Sequence, residues 1–157
     1  MSMKHNSSPS AMYIRLLTMA ILSFISMYFL MYAMVDSFTN IHNSFNELYM
    51  AGLMTAPMIL IEIVIMGRMY ENKNYNIAIG IASILLGIIF LFAIRTQFAV
   101  GDTQFLRSMI PHHAGAILMC NNATIQDGEI KQLCSTIVDG QQKEIDQMKA
   151  ILAGLGS

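Results

Sequence analysis

Three long apolar runs fill the first hundred residues, and a mixed, periodic pattern follows them. Leu16–Val35 reads LLTMAILSFISMYFLMYAMV, without a charge, between Arg15 and Asp36. About 20 apolar residues carry a helix across a hydrocarbon core, so this run predicts a span. A cleaved signal peptide has a shorter apolar core and a small-residue cleavage site, so the run is expected to be retained. A second run, from about Leu48 to Gly67, contains Pro57 and Glu62. A third, Ile77–Ile94, reads IAIGIASILLGIIFLFAI and is also free of charge. Its Gly80, Ser83 and Gly87 form a small-residue seam suited to close helix packing. The predicted helices cover about residues 14–35, 48–69 and 77–97, in a membrane domain of residues 1–98.

The texture changes after Gly101. One helix is predicted over about 102–125 and another over about 128–153. On the second, Ile130, Leu133, Cys134, Ile137, Val138, Ile145, Met148 and Leu152 recur with helical periodicity. Gln126-Asp127-Gly128 supplies turn chemistry between them, and Asp127 suits the N-cap of the second helix. The predicted fold is all-α: three transmembrane helices, then an antiparallel helical hairpin in residues 99–157. A turn centred near Asp127 sets Cys120 opposite Cys134 and His113 opposite Gln141. Met109 then falls about one turn from Met148, and each pairing is good to about one turn. So small a hairpin buries little by itself. It is expected to pack on another copy, the membrane helices or a partner.

Composition agrees with a membrane protein: 55% hydrophobic, 12% charged and a mean hydropathy of +0.52. The net charge of −1 and the lack of a basic run exclude a nucleic-acid partner. The lipid bilayer is the expected surrounding. Lys and Arg set the orientation. Lys4 and Arg15 precede or open the first span, the loop Asp36–Glu47 has neither residue type, and Arg68 and Lys73 mark the second loop. Arg95, just after the third span, weakens this bias a little. The N-terminus is therefore expected in the cytoplasm and the hairpin on the far side. In a bacterium that means the inner membrane, with a periplasmic or extracellular hairpin.

The stretch with the most chemistry is MIPHHAGAILM, Met109–Met119, which holds two of the four histidines. His112 and His113 lie between Met109 and Met119. One reading is a polar pair in a helix interface. The other is a metal site, and imidazole with thioether is a set suited to copper. Adjacent helical residues point roughly 100° apart, so a site using both histidines needs the second helix or another subunit. Pro111 either sits in the first turn of a helix capped by Ser108, where it is harmless, or removes an internal hydrogen bond.

FLRSMIPHHAGAILM followed by STIVDGQQKEIDQM resembles the family DUF305, from about Asp102 to Leu152. That family shows MIPHH-x-x-A-x-x-M on one helix and I-x-x-x-Q-x-x-E-I-x-x-M on the next. The resemblance implies a hairpin that is half of a ferritin-like four-helix bundle, an exported or membrane-anchored setting, and copper binding. It assigns ligand roles to Met109, His112, His113, Met119 and Met148. Family members commonly carry Gln after the His pair and an acidic residue before the later Met. Ala114 and Leu118 stand there in this chain. Many members carry two such hairpins, so a homodimer or higher oligomer is expected to complete the bundle.

Cys120 and Cys134 are the only cysteines. Facing each other in an oxidising compartment, they are expected to form a disulfide. The alternatives are a thiolate pair in a Cu(I) site and two inert thiols. Fifteen methionines need an account as well. Met50, Met54, Met58, Glu62 and Met66 recur every four residues along one stripe of the second span. An intramembrane carboxylate marks a functional site by default, so this stripe is a candidate Cu(I) path. Met packing between helices, with Glu62 bonded to a neighbour, is the plainer account. Met27, Met31 and Met34 form a shorter row, and His5 and His42 stand alone. No Ser-His-Asp order, phosphate loop or H-E-x-x-H occurs, and Glu129, Glu144 and Asp146 read as a solvated face. The function expected is membrane-anchored copper handling without catalysis. The alternative is an accessory or assembly subunit that docks a membrane complex through the hairpin.

Overall fold

The computed structural model describes residues 9–155, and among these the chain forms helices and no strand. The order is α1 (Pro9–Leu30), two short 3-10 turns at Met31–Met34 and Phe38–Asn40, α2 (Phe45–Met66), α3 (Lys73–Thr96), α4 (Asp102–Asn122) and α5 (Gly128–Leu155). Lys4 and His5 lie outside the described residues. The helices begin earlier than the apolar runs. Hydropathy marks the part that suits lipid, while backbone hydrogen bonding continues through flanking residues such as Ser10 and Asn74. The chain sorts into two compact units. One is residues 1–29 with 48–98, and the other is residues 30–47 with 99–157.

The first unit holds most of the segments Ser10–Met34, Phe45–Met66 and Lys73–Thr96, each long and apolar enough to cross a membrane. Their apolar surfaces would sit in lipid. Small residues set the approach of α2 to α3. A Cβ on Gly52 would lie 2.5 Å from ring atoms of Phe90, and Gly87 and Gly80 face Ala56 and Leu60. Hydroxyls inside the apolar helices bond back to their own backbone, as lipid requires: Thr55 to the Ala51 carbonyl and Ser83 to that of Ile79. Asn72 caps α3, its side chain accepting from the backbone of Asn74 and Tyr75. The chain leaves α3 through two left-handed residues, Gln97 (φ 50°) and Ala99 (φ 56°).

The second unit is built on the antiparallel pair α4 and α5. Leu106, Ile110, Ala114 and Ile117 recur at steps of three and four on α4, and they meet Ile145 and Met148 of α5. Val138 and Leu152 flank this core, each seven residues from Ile145. Asp127 caps α5 by accepting the N–H groups of Glu129 and Ile130. The first loop belongs to this unit too. Val35 packs on the core, and the Met34 carbonyl lies where a Cβ on Gly115 would be only 3.3 Å away. The Phe45 N–H reaches Gln104 and the Asn46 amide reaches Ser108, so the start of α2 is tied to α4. The hairpin's expected packing partner is therefore, at least in part, a loop of its own chain.

Candidate functional site

α4 begins at Asp102, so Pro111 lies inside it and the helix does not start at Met109 behind a Ser108 cap. Pro111 has no N–H and leaves the Arg107 carbonyl without its usual helical partner. Two residues on, His113 turns inward and is buried, while His112 is exposed. Their ring centroids are 6.1 Å apart at 64°. The divergence expected of neighbours on one helix thus separates the pair into an interior and a surface histidine.

Both nitrogens of His113 are engaged. Nδ1 lies 2.9 Å from the Met109 carbonyl, and Nε2 lies 2.8 Å from a Glu144 carboxylate oxygen. A carbonyl only accepts, so Nδ1 must carry a hydrogen and donate it. Nε2 of a neutral ring is then a lone pair pointed at a carboxylate. Two acceptors so close need a proton or another cation between them. One turn back on α4 and one turn on along α5, Met109 and Met148 belong to the same core. The seam between α4 and α5 therefore carries the His113–Glu144 pair, with Met109 and Met148 in the core on adjoining turns.

Glu144 is the residue that sequence reasoning misplaced. It reads as part of a solvated face, with His113 opposite Gln141. The actual partner stands three residues further along α5, close to one turn. The Glu144 side chain stays 58% exposed while reaching inward to the ring. The signal was available in the quoted pattern, where Glu144 and Met148 are its E and final M.

The sequence profile of the family described as Domain of unknown function (DUF305) matches residues 93–152. The chain is also 38% identical over 141 residues to "Uncharacterized protein L153" of Acanthamoeba polyphaga mimivirus, covering 87% of this chain and 90% of that one. The chain belongs to the DUF305 family. No solved structure matches it. The DUF305 profile covers the end of α3, all of α4 and α5 through Leu152. A likeness of 141 residues is too long to fit in the hairpin alone, so it extends into the membrane helices.

Other residues of this DUF305 protein fall apart from the seam. Met119 is 55% exposed near the turn. Cys120 and Cys134 are joined by a disulfide, with Cα atoms 5.3 Å apart. Among the described residues, no three His, Cys, Asp or Glu side chains cluster in a metal-ligating arrangement. Met50 and Met54 are exposed on α2, and Met58, Glu62 and Met66 are half-buried, so the stripe winds from surface to helix contact. Glu62 accepts a hydrogen bond from Tyr70 at 3.3 Å. Tyr70 stacks at 5.3 Å on Tyr13, which bonds Asn76. Burial, and then the Glu62 carboxylate, hold the Tyr70 phenol above its usual range.

His42, in the first loop, has a buried Nε2 without a partner. Burial, then Lys149 and Arg107, push its pKa below the usual 6.5. The unfolded chain therefore takes up a proton near 6.5 that the folded chain resists until lower pH. His42's own contribution to the stability of the second unit is therefore expected to become unfavourable as pH falls through 6.5. His42→Asn should remove that contribution. Thermal unfolding of both proteins above and below this pH checks it, and identical pH dependence would refute it.

Proposed function

We propose that this protein is a membrane-anchored metal-binding protein that handles copper, for tolerance, storage or delivery. The observation that carries the reading is His113. A metal-ligating histidine characteristically donates its other ring N–H to a carbonyl or carboxylate, which fixes the tautomer and aims the free nitrogen. His113 donates Nδ1–H to Met109 and turns Nε2 across the seam to the Glu144 carboxylate, which would give way to a bound ion. The thioethers of Met109 and Met148 one turn away are soft donors that suit copper. His113, Met109 and Met148 would hold the ion. Glu144 would balance its charge, His112 would serve as an outer contact, and Met119, exposed near the turn, would stand outside the site. Bound copper would supply a soft, redox-active cation. The role is binding, with no catalytic step assigned.

The finer topology belongs to this proposal. The N-terminus is cytoplasmic, and the hairpin lies on the opposite, periplasmic or extracellular side, as in a bacterial inner membrane. The Lys and Arg bias supports this, as does a disulfide in the hairpin. A homo-oligomer is proposed as well, because Phe105, Ile130, Leu133, Ile151 and Leu155 leave apolar surface exposed on the hairpin. A strict monomer by light scattering in detergent would count against it. The same surface favours a second reading, docking to a partner in a membrane complex, which predicts a stable companion on pull-down and no metal.

Metal content tests the first reading. The detergent-purified protein is loaded with Cu(I), Cu(II) or Zn(II), desalted and analysed. Stoichiometric copper is expected in the wild type and in His112→Ala. Most of it should be lost in His113→Ala, with weaker retention in Met148→Leu. No retained metal, or equal retention in His113→Ala, would exclude the seam as a copper site.

A further inference from the structure

The half of the hairpin nearest its turn has no core of its own. The packed core ends at Ile117 on α4 and Val138 on α5. Beyond it, Met119, Ile130 and Leu133 are about half exposed or more. What joins the helices there is the Cys120–Cys134 disulfide. Both half-cystines are only partly buried. They border an open cleft of about 370 Å³ whose rim includes Lys131, Ser135 and Asp139. A disulfide that only stabilises is best kept away from attacking thiols, whereas an exposed one is the labile kind. This one is reachable, and the buried core from Leu106 to Ile117 lies to one side of it.

We propose that the Cys120–Cys134 bond is a reducible latch over a soft-metal site, and that the reduced pair binds one Cu(I)-class cation. The reductant is a dithiol. Its thiolate enters the cleft and attacks Cys120 Sγ. The S–S bond breaks, a mixed disulfide forms on Cys120, and Cys134 leaves as a thiolate. Lys131, one turn before Cys134 on the same rim, stabilises that leaving charge, and Asp139 partly offsets it. The second thiol of the dithiol then displaces Cys120 and departs as its own disulfide. Two electrons and two protons pass from the dithiol to the cysteine pair.

After reduction the sulfurs stay neighbours. The core from Leu106 to Ile117 against Ile145 and Met148 still holds α4 to α5, and the two Cα positions are 5.3 Å apart. Soft thiolates select Cu(I) over harder ions. Binding releases the thiol protons to solvent and leaves a pair of thiolates on a single positive ion. Lys131, on the rim of the same cleft, would offset part of the excess negative charge. In the oxidised state both sulfurs are committed to each other, and the site does not exist. It shares no residue with the His113 seam and stands whether or not the seam binds copper.

The test uses the full chain in detergent. Native protein is treated with dithiothreitol, desalted without oxygen, and its thiols are counted. Two thiols are expected without denaturant, with helical circular dichroism retained. Oxidised and reduced samples are then loaded with Cu(I) against a Cu(I)-selective chelator. The reduced wild type should keep one more copper per chain and show thiolate-to-Cu(I) charge-transfer absorption. Reduced His113→Ala should keep that increment, and reduced Cys120→Ser should lose it. Thiols that appear only in denaturant would overturn the proposal. So would equal copper in oxidised and reduced wild type, a comparison that needs no variant.

Discussion

Ile145→Ala is expected to destabilise the second unit by about 2–5 kcal/mol, the usual cost of emptying a large buried site. Ile145 is fully buried, and it and Met148 are the two buried side chains of α5. It shares one buried cluster with Ile110, also fully buried, and the small Ala114. Nothing else on α5 can take its place, because Ile130 and Leu133 lie beyond the core and are half exposed. A compact unit is stable by roughly 0.05–0.15 kcal/mol per residue, so such a loss consumes much of what this one has. Hydrogen exchange of α4 and α5 peptides in detergent reads the effect. Protection should collapse in Ile145→Ala and persist in Ile130→Ala. Equal protection in the two variants would mean that the core lies elsewhere.

Removing the disulfide is expected to cost about 3 kcal/mol, the chain-entropy value for a loop near fifteen residues. The bonded cysteines are 14 apart in sequence. The loss should be local. The double variant Cys120→Ser/Cys134→Ser should exchange quickly over residues 118–137, where no core forms, and slowly over 106–117 and 145–152. Uniform loss of protection would show that the latch and the core form one cooperative block. That result would also weaken the case for a reducible site above an independent core.

Much of this architecture is legible in the sequence. Three charge-poor runs announce the apolar helices, and the spacing from Ile130 to Leu152 announces α5. Asp127 before Gly128 marks the cap that the Glu129 and Ile130 N–H groups use. The facing of Cys120 and Cys134 follows from their equal distance from the turn. The partner of His113 does not follow so easily. Counting outward from a turn accumulates error, and fourteen residues away a small offset moves the pairing from Gln141 to Glu144. Charge alone made Glu144 look solvated, although a long carboxylate can be mostly exposed and still reach a buried ring. The packing of the first loop was also hidden. Asp36–Glu47 has no periodicity to read, and its neighbours arrive from far along the chain.

That last arrangement bears on how the chain is made. Residues 30–47 leave the ribosome well before Ala99, and α2 and α3 are synthesised between them. The early segment must wait for its partner. The two meet only if they end up on the same side of the bilayer, which requires both intervening helices to cross or neither to do so. A chain with one helix misinserted would strand Val35 and Met34 from Gly115 and leave the hairpin's apolar seam uncovered. Completion of the second unit therefore depends on how α2 and α3 insert.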